Sequence, residues 1–304
     1  MGKKSKTLLK LVAGVVAVVA LGAAALVVSA RMSWAQSRAR VYAGVDGPNV
    51  TVRYDAASIA RGEHLARSIS ACTECHDDDL GGRVFFDDPQ LARFAGPNLT
   101  NGAGGLGPRL GERDWLRAIT RGVGDSHRSL LLMPSRDYQT YSREDLAALV
   151  AWGRTRPPVE RASVPPELRT MGYVLTMLGK LPAHSAEEAD HRAQPRSQVT
   201  PGRSAEYGEY LAQSCNGCHR ADLAGGPMAA APPGVQAPPN LTQLAQQGWT
   251  EADFRRALRQ GKSKSGRDLD PFMPWRAFRR MNDDEIGALW LRIAELGPKP
   301  THTD

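Results

Sequence analysis

The pentapeptide Cys-x-x-Cys-His occurs twice in this chain, as Cys72-Thr73-Glu74-Cys75-His76 and Cys215-Asn216-Gly217-Cys218-His219. The copies stand 143 residues apart and hold all four cysteines. The likeness extends well beyond them. Gly62-Glu63-His64-Leu65-Ala66 precedes the first as Gly208-Glu209-Tyr210-Leu211-Ala212 precedes the second, with three extra residues in the first copy. Asp79-Leu80 and Asp222-Leu223 follow, each before glycines, and Pro97-Asn98-Leu99-Thr100 answers Pro239-Asn240-Leu241-Thr242. Asp114-Trp115 with Arg117, Ala118 and Gly122 answers Asp253-Phe254 with Arg256, Ala257 and Gly261. Met133-Pro134 then answers Met273-Pro274. Self-similarity held in order over roughly 100 residues marks a duplicated unit.

The motif carries its own chemistry. Two thiols separated by two residues can each form a thioether to a haem vinyl group, and the His after the second Cys then lies beneath the iron as an axial ligand. Cys72, Cys75 and His76, with Cys215, Cys218 and His219, thus predict two covalently attached haem c groups. Two other chemistries use the same residue types, a redox dithiol and a zinc site of four Cys and two His. The repeated sequence around the motifs favours haem.

A sixth iron ligand must lie well downstream and recur in both copies. Met133, 57 residues after His76, and Met273, 54 residues after His219, meet both demands, and each precedes a proline. A thioether is a soft ligand that favours ferrous iron and raises the potential relative to bis-His ligation. A Met in the apolar run Leu130-Leu131-Leu132-Met133 is otherwise ordinary core filling; its recurrence argues for ligation. His127 is a rival, but Arg267 holds its place in the second copy. His64, His184, His191 and His302 read as surface residues.

With these motifs in order, twice, the chain resembles the class I cytochromes c. The branch is that of membrane-anchored dihaem cytochromes accompanying periplasmic dehydrogenases, and the resemblance spans residues 56–160 and 201–297. It implies an all-α fold of two tandem haem domains. It also implies a proline carbonyl that accepts the proximal His Nδ1–H, at Pro97 and Pro239, where the bond would orient the imidazole and tune its basicity. The His-to-Pro gaps of 21 and 20 residues are longer than in the smallest members. Asn98, Thr100, Asn240 and Thr242 have two open roles, at the haem edge or in the loop itself.

Lys3, Lys4, Lys6 and Lys10 precede the uncharged stretch Leu11–Ala30. Its length suits a helix crossing a hydrocarbon core of ~30 Å, and the lysines hold the N-terminus in the cytoplasm. A cleaved signal peptide is the competing reading, but its apolar region usually spans about 7–15 residues. Either way the rest of the chain is exported, to the periplasmic side of the bacterial inner membrane. The net charge of +7 overstates the basicity of that part: beyond the four lysines, 35 basic residues face 32 acidic ones. Neither this balance nor any basic-aromatic pattern suggests nucleic acid.

The expected organisation is therefore an anchor (1–30), a linker (31–55), a first haem domain (56–160), an interdomain segment (161–200) and a second haem domain (201–304). Residues 56–70 and 205–214 read as helices leading into the motifs. Trp115, Ala118 and Ile119 form a helical stripe that Phe254, Ala257 and Leu258 repeat. Ser142 with Asp145, and Asn282 with Glu285, read as N-caps of closing helices. Residues 167–180 form an apolar-sided helix expected to pack between the domains rather than enter a membrane, and 185–203 a linker. No alternating strand is visible. A non-enzymatic relay of single electrons from a dehydrogenase to a respiratory acceptor follows, with a dihaem peroxidase as the alternative. A peroxidase needs one iron that can open, which Met-Pro in both copies argues against.

Overall fold

The computed structural model describes residues 3–228, 231 and 234–303. The side chains of Lys3, Lys4 and Lys6, and the terminal Asp304, lie outside the described set.

Two helical units follow one long helix, Lys3–Ala39. In the first unit a leading helix, Ala56–Arg67, starts at Asp55, whose carboxylate accepts from Ser58 N. Its closing helix, Arg143–Arg154, starts at Ser142, whose hydroxyl accepts from Asp145 N at 3.0 Å. In the second unit the leading helix is Ala205–Ala212 and the closing helix Asp283–Glu295, capped reciprocally by Asn282 and Glu285. Each cap satisfies orphan N–H groups where the chain turns into the helix. The two helices of each pair cross at a glycine. A Cβ on Gly62 would lie 1.9 Å from Ala148 O, and one on Gly208 would lie 2.0 Å from Ala288 O. Only Gly allows this backbone approach.

Between leading and closing helices runs a third, Glu112–Arg121 and Glu251–Gln260, which buries Trp115 and Ile119, or Phe254, Ala257 and Leu258, against the core. Leu146, Leu149 and Val150 in one closing helix, and Ile286 and Leu289 in the other, are buried, and Trp290 is half-buried. One core cluster runs through both units, so they are packed on each other.

The chain is mostly helical, and the expectation of an all-α fold needs correcting. Strands β1 (Arg83–Asp88), β2 (Ala92–Gly96) and β3 (Glu167–Leu168) form a three-stranded antiparallel sheet in that order. The run Val84-Phe85-Phe86 is continuous and lies beside a bulge, so the period-2 signal of a strand is lost. The helix expected over 167–180 is also shorter and elsewhere. Residues Thr170–Met177 are helical and pack on the long N-terminal helix and the β1–β2 hairpin, not between the two units. Within 185–203, Ser185–Glu188 form a helical turn, with Ser185 and Ala186 buried.

Candidate haem-attachment sites

The first motif sits in one short turn of helix, Cys72–His76, and the second runs from the 3-10 turn Gln213–Cys215 into the helical turn Asn216–His219, each just after its leading helix. The loop beyond is built identically in both units. Asp77 and Arg220 adopt φ of 69° and 68°, and Leu80 and Leu223 adopt 57° and 61°. Left-handed conformations cost non-glycine residues energy and persist only where the surroundings enforce them. Here a short ladder does so. Gly82 N donates to His76 O and Gly225 N to His219 O, while Leu99 N donates to Leu80 O and Leu241 N to Leu223 O. These bonds bring the Pro-Asn-Leu-Thr segment onto the motif.

As a result His76 Nδ1 lies 3.1 Å from the Pro97 carbonyl oxygen and His219 Nδ1 lies 2.9 Å from that of Pro239. With Nδ1 committed to a carbonyl, Nε2 is the nitrogen left for an iron. Burial lowers both imidazole pKa values, partly offset by the proline carbonyls, and this keeps the rings neutral. Met133 and Met273 are half-buried and pack against the same core as Cys72 and Cys215. They share one turn geometry, with Ser135 N donating to Met133 O and Trp275 N to Met273 O, both at 2.8 Å.

The thiols discriminate between chemistries. Burial, reinforced by the neighbouring Cys75, pushes Cys72 up to about 12. Cys75 rises to about 11 and Cys215 to about 12, again chiefly through burial. A working dithiol needs the opposite shift, toward thiolate. Among the described residues no three His, Cys, Asp or Glu side chains converge on a common metal position. A site of one buried neutral imidazole, two protonated thiols against an apolar core and a downstream thioether fits haem c.

Asn98 and Asn240 have loop roles. Asn98, fully buried, donates to Val159 O (2.8 Å) and Arg161 O (2.9 Å), and its Oδ1 accepts from Thr100 N and Oγ1. Asn240 donates to Lys299 O (2.8 Å) and Thr301 Oγ1 (3.1 Å), and accepts likewise from Thr242. The strap after each closing helix is thereby tied back over the motif loop. Asp79 reaches Arg161 on one strap, and Asp222 reaches His302 on the other.

Several residues that sequence reasoning placed on the surface, or left out, make contacts between distant parts of the chain. His64 is not a surface residue: its Nε2 reaches Glu285 across the seam. His184, also assigned to the surface, is buried beside the Trp34 ring, 4.8 Å between centroids. Tyr141 is missing from the sequence reading. Fully buried, its hydroxyl lies 2.9 Å from Ser214 Oγ and accepts from Ser70 Oγ at 3.3 Å. It bridges the residues entering the two motifs. Asp137, after Met133, reaches the second motif, its Oδ2 2.8 Å from where a Cβ on Gly217 would fall. Burial raises the Asp137 carboxyl to about 7, against the opposing charge of Arg136. Each of these is a pairing between distant residues, with no local sequence signal.

Residues 57–152 match the family described as cytochrome c oxidase, cbb3-type, subunit III. With the motif geometry above, this defines a cytochrome c domain in the first unit. The chain is similar to the cytochrome c subunit of the quinone alcohol dehydrogenase of Gluconobacter oxydans (strain 621H). The two are 37% identical over 92 residues, which is 27% of this chain and 19% of that protein. The fructose dehydrogenase cytochrome subunit of Gluconobacter japonicus is 34% identical over 116 residues, 34% of this chain and 24% of the relative. One of the subunits of the nicotinate dehydrogenase of Pseudomonas putida is 34% identical over 94 residues, 29% of this chain and 8% of the relative. The chain thus spans less than a quarter of the length of these relatives.

Proposed function

We propose that this chain is a dihaem c-type cytochrome held in the bacterial inner membrane by its N-terminal helix. Facing the periplasm, it relays single electrons from a dehydrogenase to a respiratory acceptor. The observation that carries the reading is the repetition, at both motifs, of a His held through Nδ1 by a proline carbonyl and followed downstream by Met-Pro. Haem c supplies a one-electron iron couple when bound. Cys72 and Cys75, or Cys215 and Cys218, would hold it covalently. His76 and His219 would ligate through Nε2, and Met133 and Met273 would supply the thioether ligands. Pro97 and Pro239 fix each imidazole against rotation. With a His and a Met both held to each haem, neither site would be open to a substrate, and the chain would work by relay and docking. The relatives named as dehydrogenase cytochrome subunits support a dehydrogenase as donor.

A pyridine haemochrome assay against protein mass tests this directly. Two haems per chain, with no carbon monoxide binding by the reduced protein, is the expected result. One haem per chain would leave a motif without its cofactor. Ready carbon monoxide binding would favour the peroxidase-like alternative, which requires an open iron.

A further inference from the structure

The helix Thr170–Met177 carries no charged side chain, and among its residues only Gly172 is buried. Met171 is 48% exposed and Leu178, at its C-terminal cap, is 58% exposed. In water such a face is a liability. Its position gives it a partner. The helix lies on the long N-terminal helix just where the uncharged Leu11–Ala30 stretch ends. Ala30 is fully buried, and the Arg31 guanidinium sits 5.6 Å from the Tyr173 ring centroid. Trp34 meets the same ring edge-on at 6.4 Å. Residues 30 and 34 differ by one helical turn, about 6 Å along the axis. Below Ala30 the long helix exposes Leu21, Leu26 and Val28 at 45–71%. Thr170–Met177 therefore continues that apolar surface sideways at the level where an aromatic and basic belt marks the lipid–water boundary.

We infer that Thr170–Met177 is a second membrane contact, lying in the headgroup region of the phospholipid bilayer crossed by Leu11–Ala30, with Met171 and Leu178 turned to the acyl chains. This rests on the anchor reading of the N-terminal helix. Short helices with one apolar face settle about 5–10 Å into that boundary. Lys180 follows the helix and can extend its ammonium to the headgroups.

The contact has a consequence for the sites. Gly172 packs on the turn end of the β1–β2 hairpin, where a Cβ would lie 2.1 Å from Leu91 O. At the other end of β2, Gly96 packs on the first motif, 2.2 Å from Cys75 O by the same measure. β2, Ala92–Gly96, is then a strut about 17 Å long between the lipid-facing helix and His76. The N-terminal helix makes its further contacts on the same unit, through Arg38 Nη1 to Ser129 O. The first site is thus held at a set height over the bilayer, and the second unit rides on the first.

The test uses the full-length haem-loaded protein in phosphatidylcholine–phosphatidylglycerol vesicles containing a lipid with a photoactivatable diazirine on its acyl chain. After irradiation, trypsin releases Thr170–Lys180 as one peptide, between Arg169 and Lys180. Adducts are expected in it as well as in residues 11–30. A Met171→Glu, Leu178→Glu double variant should lose these adducts several-fold while keeping those of the anchor. The inference is overturned if Thr170–Lys180 is labelled no more than Asp268–Arg276 of the second unit while the anchor is labelled strongly. A mature chain that begins at Arg31, with no labelling in either region, would remove the anchor reading and this inference with it.

Discussion

His64 Nε2 hydrogen-bonds both carboxylate oxygens of Glu285, at 2.8 and 2.9 Å, joining the leading helix of one unit to the closing helix of the other. The matched pair makes the reciprocal contact, with Tyr210 OH donating to Asp145 Oδ2 at 2.8 Å. Arg61 and Tyr207, equally matched, meet between them at 3.3 Å. Equivalent residues thus exchange equivalent contacts, the pattern of an isologous interface, here within one chain. Duplication supplied the self-complementary surface, and Glu285, which also caps its own helix at Asn282 N, and Asp145 are its polar anchors.

Breaking that seam should be costly. Glu285 is 1% exposed and also faces Arg61 at 3.6 Å. Glu285→Gln leaves His64 without its carboxylate, while Arg61 keeps Asp145 at 2.8 Å, and both side chains are partly exposed, which softens the loss. The expected destabilisation is about 2 kcal/mol. It should be read as a lower melting temperature and faster proteolysis within residues 185–203.

The same group sets a pH dependence. Burial would raise the Glu285 carboxyl, but the His64 hydrogen bond and charge, the Asn282 N–H and Arg61 outweigh it and hold it below the usual range. A depressed folded pKa contributes stability above the unfolded value, about 4.3, and that stability is lost as pH falls through the folded value. The wild-type protein should therefore lose inter-unit protection in acid below about pH 4.3 more steeply than Glu285→Gln. Hydrogen exchange at Tyr207 and Tyr210 against pH would show it, and equal slopes would refute it.

Met133→Ala should open the first haem alone, lower its potential and let carbon monoxide bind after reduction, and Met273→Ala should do the same at the second. Leu132→Ala should leave ligation intact. Redox titration with optical detection resolves the two sites. A native first-haem spectrum in Met133→Ala, lost instead in His127→Ala, would reassign the ligand.

Asn98→Ala removes four hydrogen bonds inside the first strap at a fully buried position. A loss of about 3 kcal/mol is expected, since two backbone carbonyls and Thr100 are left unpaired. Asn240→Ala should act likewise in the second unit. Denaturant unfolding with haem content measured in parallel separates this from loss of cofactor, which should stay at its original ratio.

Gly62→Ala and Gly208→Ala should each cost about 3 kcal/mol or more, because the new methyl meets backbone that cannot rotate away. Gly14→Ala, which meets nothing within 4 Å, is the control and should be neutral or better. Thermal melts of the three variants decide it.

Much of the candidate site was legible in the chain because its determinants are local or repeated. Cys-x-x-Cys-His, Pro-Asn-Leu-Thr and Met-Pro recur in register, and the N-caps Ser142 and Asn282 are readable from the three residues that follow each. Periodicity was enough to locate the leading and closing helices. What the tertiary structure alone decided is how the repeats face each other and what covers them. His64 and Tyr210 gain their meaning from carboxylates at sequence separations of 221 and 65 residues. Tyr141 carries no local signal and gains its role from Ser70 and Ser214, placed beside it by the fold. Strand β1 was hidden because a bulged, half-covered apolar run has no alternation, and the partner of Thr170–Met177 because an apolar helix face does not say which surface will cover it. Local sequence specifies covalent chemistry and backbone caps over a few residues. Contacts that close over a hundred residues depend on the packed shape of both partners, which no short segment encodes.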